Sequence, residues 1–198
     1  MNRTKVVLFD ADGVVLVGKR FSYHLQQEFG ISPDVINRFF NNEFKKCLIG
    51  KADLRVELHK YLPMWRWTSG VDELLRYWFE KEHVVDQKII DWVHVLKEKN
   101  IQCVLATNQE KYRLQYMREN MQFKYVFDHV FASCELGVIK PHMAFFTKIH
   151  NRCLPVERSE MILWDDDDKN VEGAQKYGLE AFRYDNSAQF EQWAKMII

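Results

Sequence analysis

Acidic residues stand directly after two short apolar segments of this sequence. Asp10 comes directly after the segment VVLF, and Asp12 comes two residues later. Four consecutive aspartates at positions 165 to 168 follow the segment MILW. A run of like charges is most often a solvated loop, because neighbouring charges in water repel each other only weakly. Carboxylate oxygens are also the ligands that hard divalent cations prefer, and a bound cation offsets the repulsion. The pattern leaves two interpretations open, an exposed acidic loop or a cation site.

The other polar residues that follow apolar segments have ordinary explanations when each is taken alone. Asn108 would cap a helix that has Glu110 in its first turn. Lys140 stands at a helix start marked by proline, where an exposed lysine is common. Even the pair Asp12 and Gly13 would suit the turn of a β-hairpin. It is their shared position after apolar segments that needs an explanation.

The apolar segments alternate with helical ones, which is the pattern of an α/β domain with a parallel sheet. Apolar residues at helical spacing predict helices over residues 86–99 and 110–121. The sequence therefore predicts an α/β fold, a Rossmann-like doubly wound parallel sheet. Its five predicted strands are VVLF (6–9), CVLA (103–106), YVFDHVFA (125–132), MILW (161–164) and LEAF (179–182).

Polar residues follow four of these strands in succession. Ligands of doubly wound sheets bind outside the carboxyl ends of the strands, so residues at those ends can meet. Four independent explanations rarely coincide at four strand ends, and we therefore expect one site. The residues concerned are Asp10 and Asp12, Thr107 and Asn108, Lys140, and Asp165 and Asp166.

Residues 18–83 interrupt the alternation of strands and helices. No strand-like run occurs there, whereas helix boundaries are frequent, with Gly30 ending one helix and Pro33 beginning another. We expect residues 1–17 and 84–198 to form the α/β core and residues 18–83 to form an all-helical insertion. The apolar stripes of the insertion are more typical of a core than of a ligand site, and they consist of Phe39, Phe40 and Phe44; Leu54, Leu58 and Tyr61; and Leu74, Leu75 and Trp78.

The composition is that of a globular chain without a preference for charged partners. Its 198 residues include 28 basic and 28 acidic ones, so no net charge favours nucleic acid or an anionic membrane surface. Apolar runs of at most four residues predict no membrane-spanning helix, and we expect a cytoplasmic protein, either a monomer or a weak dimer. The four cysteines contain no C-x-x-C pair, which argues against a zinc site or a disulfide framework.

The polar positions, taken in order, resemble the four motifs of the haloacid dehalogenase superfamily. DADGV corresponds to the first motif, Thr107 to the second, Lys140 to the third and DDDDKN to the fourth. The likeness extends from Lys5 to about Tyr184. It identifies the helical insertion as the small cap that such enzymes carry after the first motif. Each motif is short, but four of them in this order form a specific signal.

The resemblance implies phosphoryl transfer with Asp10 as the nucleophile, which forms an aspartyl phosphate. Asp12 would protonate the leaving alcohol and then take a proton from the attacking water. We expect neighbouring carboxylates and the closed cap to raise the pKa of Asp12 for this role. Thr107 and Lys140 would bind the phosphoryl oxygens, with the side chain of Asn108 assisting them.

Magnesium is the cofactor that the resemblance implies. The side chains of Asp10 and Asp166 and the backbone carbonyl of Asp12 would be its ligands, and Asp165 or Asn170 would bind directly or through water. Phosphoryl transfer mostly needs positioning and neutralisation of charge, which a divalent cation supplies.

These implications make a Mg²⁺-dependent phosphatase acting on a small phosphorylated metabolite the first hypothesis. Dehalogenases of the superfamily use no metal and lack the second aspartate, so Asp12 argues for phosphate. A phosphosugar mutase would share all of these residues and remains an alternative, as does a non-catalytic scaffold. A phosphorelay receiver has its paired acids early and its phosphoacceptor later, which is the reverse of the order here.

The remaining assignments concern residues to which the resemblance gives no catalytic role. Asp167 and Asp168 depart from the family pattern and are expected to face water. Lys51, in the segment CLIGKAD, is the candidate contact to the substrate, although an exposed lysine is the commoner situation. The tryptophans of the insertion would either line a pocket or fill a core, and they are Trp65, Trp67 and Trp78.

Overall fold

A five-stranded parallel sheet lies at the centre of the α/β part of the molecule. The computed structural model describes residues 4–198. The strands are β1 (Val6–Phe9), β2 (Gln102–Thr107), β3 (His129–Ala132), β4 (Met161–Asp165) and β5 (Glu180–Arg183). They lie in the order β3-β2-β1-β4-β5. Phe9 of the central strand pairs with Leu105 and Trp164 of its neighbours, so three strands end at nearly the same level.

Five helices connect β1 to the rest of the sheet domain. Their ranges are α1 (Phe21–Phe29), α2 (Pro33–Asn41), α3 (Glu43–Cys47), α4 (Leu54–His59) and α5 (Gly70–Lys81). The predicted boundaries are confirmed at Gly30, which ends α1 with φ 63°, and at Pro33, which is the first residue of α2. The side chains of this segment form a hydrophobic cluster of their own around Trp65, which is fully buried. That the segment closes over a site as a cap stays a prediction.

Seven further helices pack around the sheet. They are α6 (Gln87–Glu98), α7 (Lys111–Glu119), α8 (Phe123–Val126), α9 (Ser133–Leu136), α10 (Met143–Cys153), α11 (Asp168–Tyr177) and α12 (Ser187–Ile197). Alternate residues of a strand point to opposite faces, so Val7 and Phe9 join one hydrophobic cluster while Val6 and Leu8 join another. Both faces of the sheet are therefore covered, and the predicted doubly wound α/β fold is confirmed.

One predicted strand is shorter than its apolar pattern indicates. The pattern predicts extended chain over residues 125–132, but β3 begins only at His129 and is preceded by the short helix α8. Phe123 and Phe127 are four residues apart and both buried, whereas Tyr125 between them is exposed, which is helical and not strand spacing. A short apolar run does not distinguish these two patterns.

Lys140 also lies farther from its strand than the sequence indicates. After β3 the chain forms α9, which ends at Gly137 with φ 69°, and only then reaches Lys140. The lysine is thus presented by a loop and not by the strand end itself. Among the helices of the described chain, none is both long enough and apolar enough to cross a membrane.

Candidate active site

The polar residues after β1, β2 and β4 meet in one cavity at the carboxyl edge of the sheet. Because β1 lies between β2 and β4, its final residue is flanked by the ends of both. The cavity has a volume of about 230 Å³ and is lined by Asp10, Asp12, Arg20, Thr107, Asn108, Asp166, Asp167 and Asn170. The structure therefore brings together residues that the sequence separates by more than 150 positions.

Lys140 is buried between Asp10, which lines this cavity, and Asp165, which lies behind its wall. Its Nζ atom lies 2.9 Å from Oδ1 of Asp10 and 2.5 Å from Oδ2 of Asp165, and its side chain is fully buried. Backbone N–H of Ala11 donates to the same Oδ1 of Asp10 over 2.7 Å. The lysine ammonium thus compensates part of the negative charge that the strand ends concentrate here.

Asn108 holds the loop that carries Lys140. Its side-chain oxygen accepts a 2.8 Å hydrogen bond from the backbone N–H of Lys140, and its side-chain nitrogen donates over 3.1 Å to the carbonyl of the same residue. The helix-capping explanation for Asn108 is wrong, because Glu110 is the residue that caps α7. Asn108 therefore joins the end of β2 to the lysine loop.

Asp165 and Asn170 form a second support beneath the cavity. Oδ1 of Asp165 accepts hydrogen bonds from the backbone N–H of Asp167 at 3.0 Å and from Nδ2 of Asn170 at 2.9 Å. Its other oxygen contacts Lys140. Asp165 is fully buried and Asn170 nearly so, so these hydrogen bonds fix both side chains.

Three carboxylates are close enough to hold a metal ion. One oxygen each from Asp10, Asp165 and Asp166 lies within 4.8 Å of the others. The backbone makes room for this group at Gly13, whose φ is +92° and where a Cβ atom would lie 2.1 Å from Oδ2 of Asp166. An oxygen-only set of this kind fits a hard divalent cation.

Electrostatics also favour a cation beside these carboxylates. Burial raises the pKa of Asp10 to about 7. The positive charge of Lys140 acts to lower this pKa, and the negative charge of Asp165 acts to raise it. Burial likewise raises the pKa of Asp166 above its usual value, with Arg20 acting against it. Both shifts mean that the protein without a metal ion disfavours the charged carboxylates, which a divalent cation would stabilise.

Asp12 is surrounded by positive charge, contrary to expectation. Arg113 donates two hydrogen bonds to its carboxylate, at 2.7 and 3.0 Å, and Nε2 of Gln109 donates a third at 2.6 Å. Arg20 lies 3.2 Å from the same carboxylate and 3.4 Å from the backbone carbonyl of Asp12. That carbonyl, expected as a metal ligand, thus contacts a guanidinium group in this structure.

The expected rise in the pKa of Asp12 is therefore wrong. Burial of the carboxyl group would raise the pKa, but the guanidinium groups of Arg113 and Arg20 outweigh burial and lower it below its usual value. Asp12 is ionised at neutral pH in the protein without substrate. The prediction considered only the acidic residues near Asp12. It did not include the arginines that the fold brings to this carboxylate from other segments.

Four residues around Asp12 were not recognised in the sequence. They are Arg20, Glu82, Gln109 and Arg113. One of them carried a usable signal, because Arg113 is four residues from Met117 and therefore lies on the apolar face of its own helix. A charged residue on a buried face needs a partner of opposite charge.

Lys51 is not part of the cavity around Asp10. It is exposed and lines a separate cleft of about 400 Å³ together with Cys47, Gly50 and Cys134. Asp167 and Asp168 are exposed, as expected. Asp167 additionally caps α11 by accepting a hydrogen bond from the backbone of Lys169, and Asp168 lies 2.8 Å from Arg183.

Sequence comparison relates most of the chain to one enzyme family. A sequence model of the haloacid dehalogenase-like hydrolases matches residues 4–178. An uncharacterised protein of Dictyostelium discoideum is 23% identical over 172 residues, a match that covers 82% of this chain and 73% of that protein.

Solved structures show the same architecture at low sequence identity. A haloacid dehalogenase-like hydrolase of Porphyromonas gingivalis has a TM-score of 0.81 at 17% identity, covering 98% of both chains. A haloacid dehalogenase-family enzyme of Bacteroides thetaiotaomicron, crystallised with magnesium, has a TM-score of 0.79 at 18% identity, covering 94% of this chain and 98% of that one. The L-2-haloacid dehalogenase of Xanthobacter autotrophicus has a TM-score of 0.66 at 18% identity, covering 96% and 82%.

The two kinds of likeness carry different weight. Structural likeness at such identity shows a shared fold, and fold alone does not determine the reaction. The sequence match, by contrast, spans the segments that supply Asp10, Thr107, Lys140 and Asp166. The chain therefore belongs to the haloacid dehalogenase-like hydrolases.

Proposed function

We propose that this hydrolase is a Mg²⁺-dependent phosphatase that cleaves small-molecule phosphate monoesters through an aspartyl phosphate. The observation that supports it most is the position of Asp10. Its Oδ1 atom contacts both the Ala11 N–H and Lys140, which leaves Oδ2 as the attacking oxygen. The second aspartate, Asp12, favours phosphate transfer over dehalogenation, because phosphate transfer has a proton to deliver to a leaving oxygen.

The first half-reaction would transfer the phosphoryl group to the protein. Oδ2 of Asp10 attacks phosphorus, the bond from phosphorus to the leaving oxygen breaks, and the leaving alcohol takes the proton carried by Asp12. Asp12 is ionised in the free protein, so it takes this proton from solvent when the substrate binds, because the nearby negative phosphate raises its proton affinity. The products are the alcohol and aspartyl phosphate.

The second half-reaction would release phosphate. Asp12, again ionised, takes a proton from water as the water oxygen attacks phosphorus, and the bond from phosphorus to Asp10 breaks. Its lowered pKa keeps the carboxylate in the ionised form that can accept this proton. Inorganic phosphate leaves and frees Asp10, and Asp12 returns to its ionised state by releasing the proton to solvent.

The negative charge on the phosphoryl oxygens would be neutralised by hydrogen-bond donors and by a metal ion. Thr107 and the ammonium of Lys140 bind these oxygens as donors. Magnesium, held by Asp10 and Asp166 with Asp165 and Asn170 beside them, supplies neutralisation of charge when bound.

The leaving group would occupy a second cavity that adjoins Asp12. This cavity of about 210 Å³ shares Asp12, Arg20 and Asn108 with the cavity around Asp10. Its wall also includes the polar side chains of Glu82, Gln109 and Arg113, and four rings of the helical segment, from Phe21, Phe40, Phe44 and Trp78. A small organic group with an apolar face fits this wall, which replaces the CLIGKAD segment as the candidate substrate contact.

A panel of phosphorylated metabolites, assayed with Mg²⁺ and with EDTA, tests the proposal. Release of inorganic phosphate that requires Mg²⁺ is expected, and a coupled assay on hexose phosphates distinguishes a mutase, which would interconvert isomers without releasing phosphate. Turnover that persists in EDTA would contradict the proposed site.

Asp10→Asn is the first variant to measure. It keeps the shape of the side chain and removes the nucleophile, so we expect a loss of turnover of roughly 10⁴-fold or more. Circular dichroism should show an unchanged fold. Asp168→Asn, the same substitution at an exposed position, serves as the control and should keep full activity. Activity of Asp10→Asn near that of the control would refute the aspartyl-phosphate mechanism.

A further inference from the structure

Arg113 makes a two-point contact with the candidate proton-transfer residue. Nη2 donates to Oδ1 of Asp12 at 2.7 Å, and Nη1 donates to Oδ2 at 3.0 Å. The side chain of Arg113 is only 5% exposed, so solvent screens this pair weakly. Two parallel hydrogen bonds from a planar guanidinium group fix the plane and the direction of a carboxylate, which a single contact does not.

Glu82 forms an ion pair with the same guanidinium group. Its Oε2 atom lies 2.7 Å from Nη1 of Arg113, and its Oε1 atom accepts a 2.5 Å hydrogen bond from the backbone N–H of Phe21. Phe21 begins α1 and Glu82 directly follows α5, so Glu82 joins the two points where the chain enters and leaves the helical segment. The arginine is thus oriented from both the sheet domain and the helical segment.

Burying these charged groups costs desolvation free energy. Two carboxylates and a guanidinium group are removed from water, and apolar side chains of similar size often stabilise a fold as well or better. Gln109, itself 2% exposed, adds another donor to the same carboxylate, at 2.6 Å. Several buried polar groups therefore converge on the orientation of a single side chain.

We propose that Arg113 is a positioning residue, which holds the Asp12 carboxylate in the orientation for proton transfer and is itself held by Glu82. This inference rests on the proposed function, because it concerns the proton transfers of that reaction. Arg113 also lines the cavity proposed for the leaving group, but both of its described hydrogen bonds to that cavity's side chains go to the Asp12 carboxylate. Its effect reaches the reaction through Asp12.

Arg113→Lys tests the positioning role, because it keeps the positive charge and removes the two-point contact. We expect kcat/KM for alkyl phosphates to fall by about 10- to 100-fold, since general acid catalysis is worth roughly 10²- to 10⁴-fold. Esters of acidic phenols need no proton on the leaving oxygen, so their kcat/KM should change by about 3-fold or less. Asp12→Asn should show the same dependence on the leaving group, in larger measure.

The second half-reaction gives an independent measurement. With an aryl phosphate of an acidic phenol, Arg113→Lys should release a burst of about one equivalent of phenol per protein, followed by a slow steady state, because proton removal from water is impaired. A purely structural defect would lower the folded fraction and hence the amplitude, but it would leave the dependence on the leaving group unchanged.

Two further variants keep the test interpretable. Arg118→Lys makes the same change on the same helix at a residue that pairs with Glu135, and it should match the wild type. Glu82→Gln removes the charge that holds Arg113 while keeping the shape, and it should show the Arg113→Lys pattern in weaker form. It also remains informative if Arg113→Lys does not fold.

The outcomes separate this inference from the proposed function. If the wild type hydrolyses no phosphate ester, the proposed function fails, and this inference fails with it. If the wild type is active and Asp12→Asn shows the expected leaving-group dependence, but Arg113→Lys and Glu82→Gln behave like Arg118→Lys, only the positioning role of Arg113 is refuted.

Discussion

At the scale of single residues, the surroundings of a side chain decide its chemistry more than its identity does. Asp10 and Asp12 are two positions apart, the first buried and the second partly buried, yet burial raises the pKa of Asp10 whereas Arg113 and Arg20 lower that of Asp12. One carboxylate therefore stands in a site with excess negative charge, which suits a cation, and the other is neutralised by guanidinium groups. The two aspartates are suited to different roles by these charges.

Gly13 shows how closely the backbone approaches the acidic group. Gly13→Ala should weaken Mg²⁺ binding by about 10-fold or more, because the added Cβ atom would lie 2.1 Å from Oδ2 of Asp166 and displace that carboxylate. It should also cost about 1–3 kcal/mol of folding free energy, because a φ of +92° is unfavourable for alanine. Calorimetric Mg²⁺ titration and urea unfolding measure the two effects.

Gly70→Ala separates these two contributions. Gly70 has a similar φ of +83°, but a Cβ atom there would meet nothing within 4 Å. Its substitution should therefore lower stability without changing Mg²⁺ affinity. Equal Mg²⁺ affinities for Gly13→Ala and Gly70→Ala would contradict the placement of the metal ion beside Asp166.

At the scale of elements, α7 connects the end of β2 to the residues that surround Asp12. Glu110 caps this helix by accepting hydrogen bonds from the backbone N–H groups of Tyr112 and Arg113. The helix thereby starts at a defined residue and places the Arg113 side chain one turn further on. A loss of this cap would disturb the same carboxylate that Arg113 holds.

The raised pKa of Glu110 predicts that the stability of the fold depends on pH. Burial raises its pKa from 4.5 to about 7, so the folded protein binds a proton more tightly than the unfolded chain does. Its contribution to the free energy of unfolding is fully present below the unfolded pKa of 4.5 and is lost as the pH rises from there through about 7, by at most about 1.4 kcal/mol per pH unit. Glu110→Gln should reduce this decline.

Urea unfolding between about pH 5 and pH 8 checks this prediction. The protein with Glu110 and the Glu110→Gln variant should both carry Asp10→Asn, because the pKa of Asp10 is also raised to about 7. The stability difference between the two should move in favour of Glu110→Gln as the pH rises. A difference that does not vary with pH would show that Glu110 is solvated and not buried.

At the scale of the whole molecule, the candidate metal site depends on strands that are distant in the sequence. β1 supplies Asp10 and β4 leads to Asp165 and Asp166, so the three carboxylates meet only when the sheet has formed. A ligand that binds the folded state alone stabilises it by mass action. Metal binding and folding should therefore be coupled.

We expect Mg²⁺ to raise the thermal unfolding midpoint of the wild type in a concentration-dependent manner. The rise should be larger at about pH 8 than at about pH 6, because Asp10, with its pKa raised to about 7, must lose its proton to bind the ion. Asp166→Asn should abolish most of it. Asp168→Asn, an identical change at an exposed residue paired with Arg183, should retain it. Equal responses from the two variants would exclude the acidic group as the binding site.

Much of the architecture could be predicted because its signals are local. Short, mostly apolar segments of four residues marked four of the strands within one or two residues, and Gly30 and Pro33 marked helix boundaries. The error at residues 125–132 arose where strand and helix spacing overlap in a short run. Lys140 was identified, but its presentation by a loop was not, because loops after strands leave little periodic signal.

The sequence by itself determined that acidic, amide and lysine side chains follow parallel strands, because strand polarity sends the ends of such strands to one edge of the sheet. Only the tertiary structure decided the charge around Asp12. Arg113 is 101 positions away from it and Glu82 arrives from the helical segment, so their contact is set by packing of α7 against both parts of the chain. The apolar face of α7 indicates that Arg113 needs a partner, but no local pattern identifies that partner, because distant side chains meet only through the assembled core.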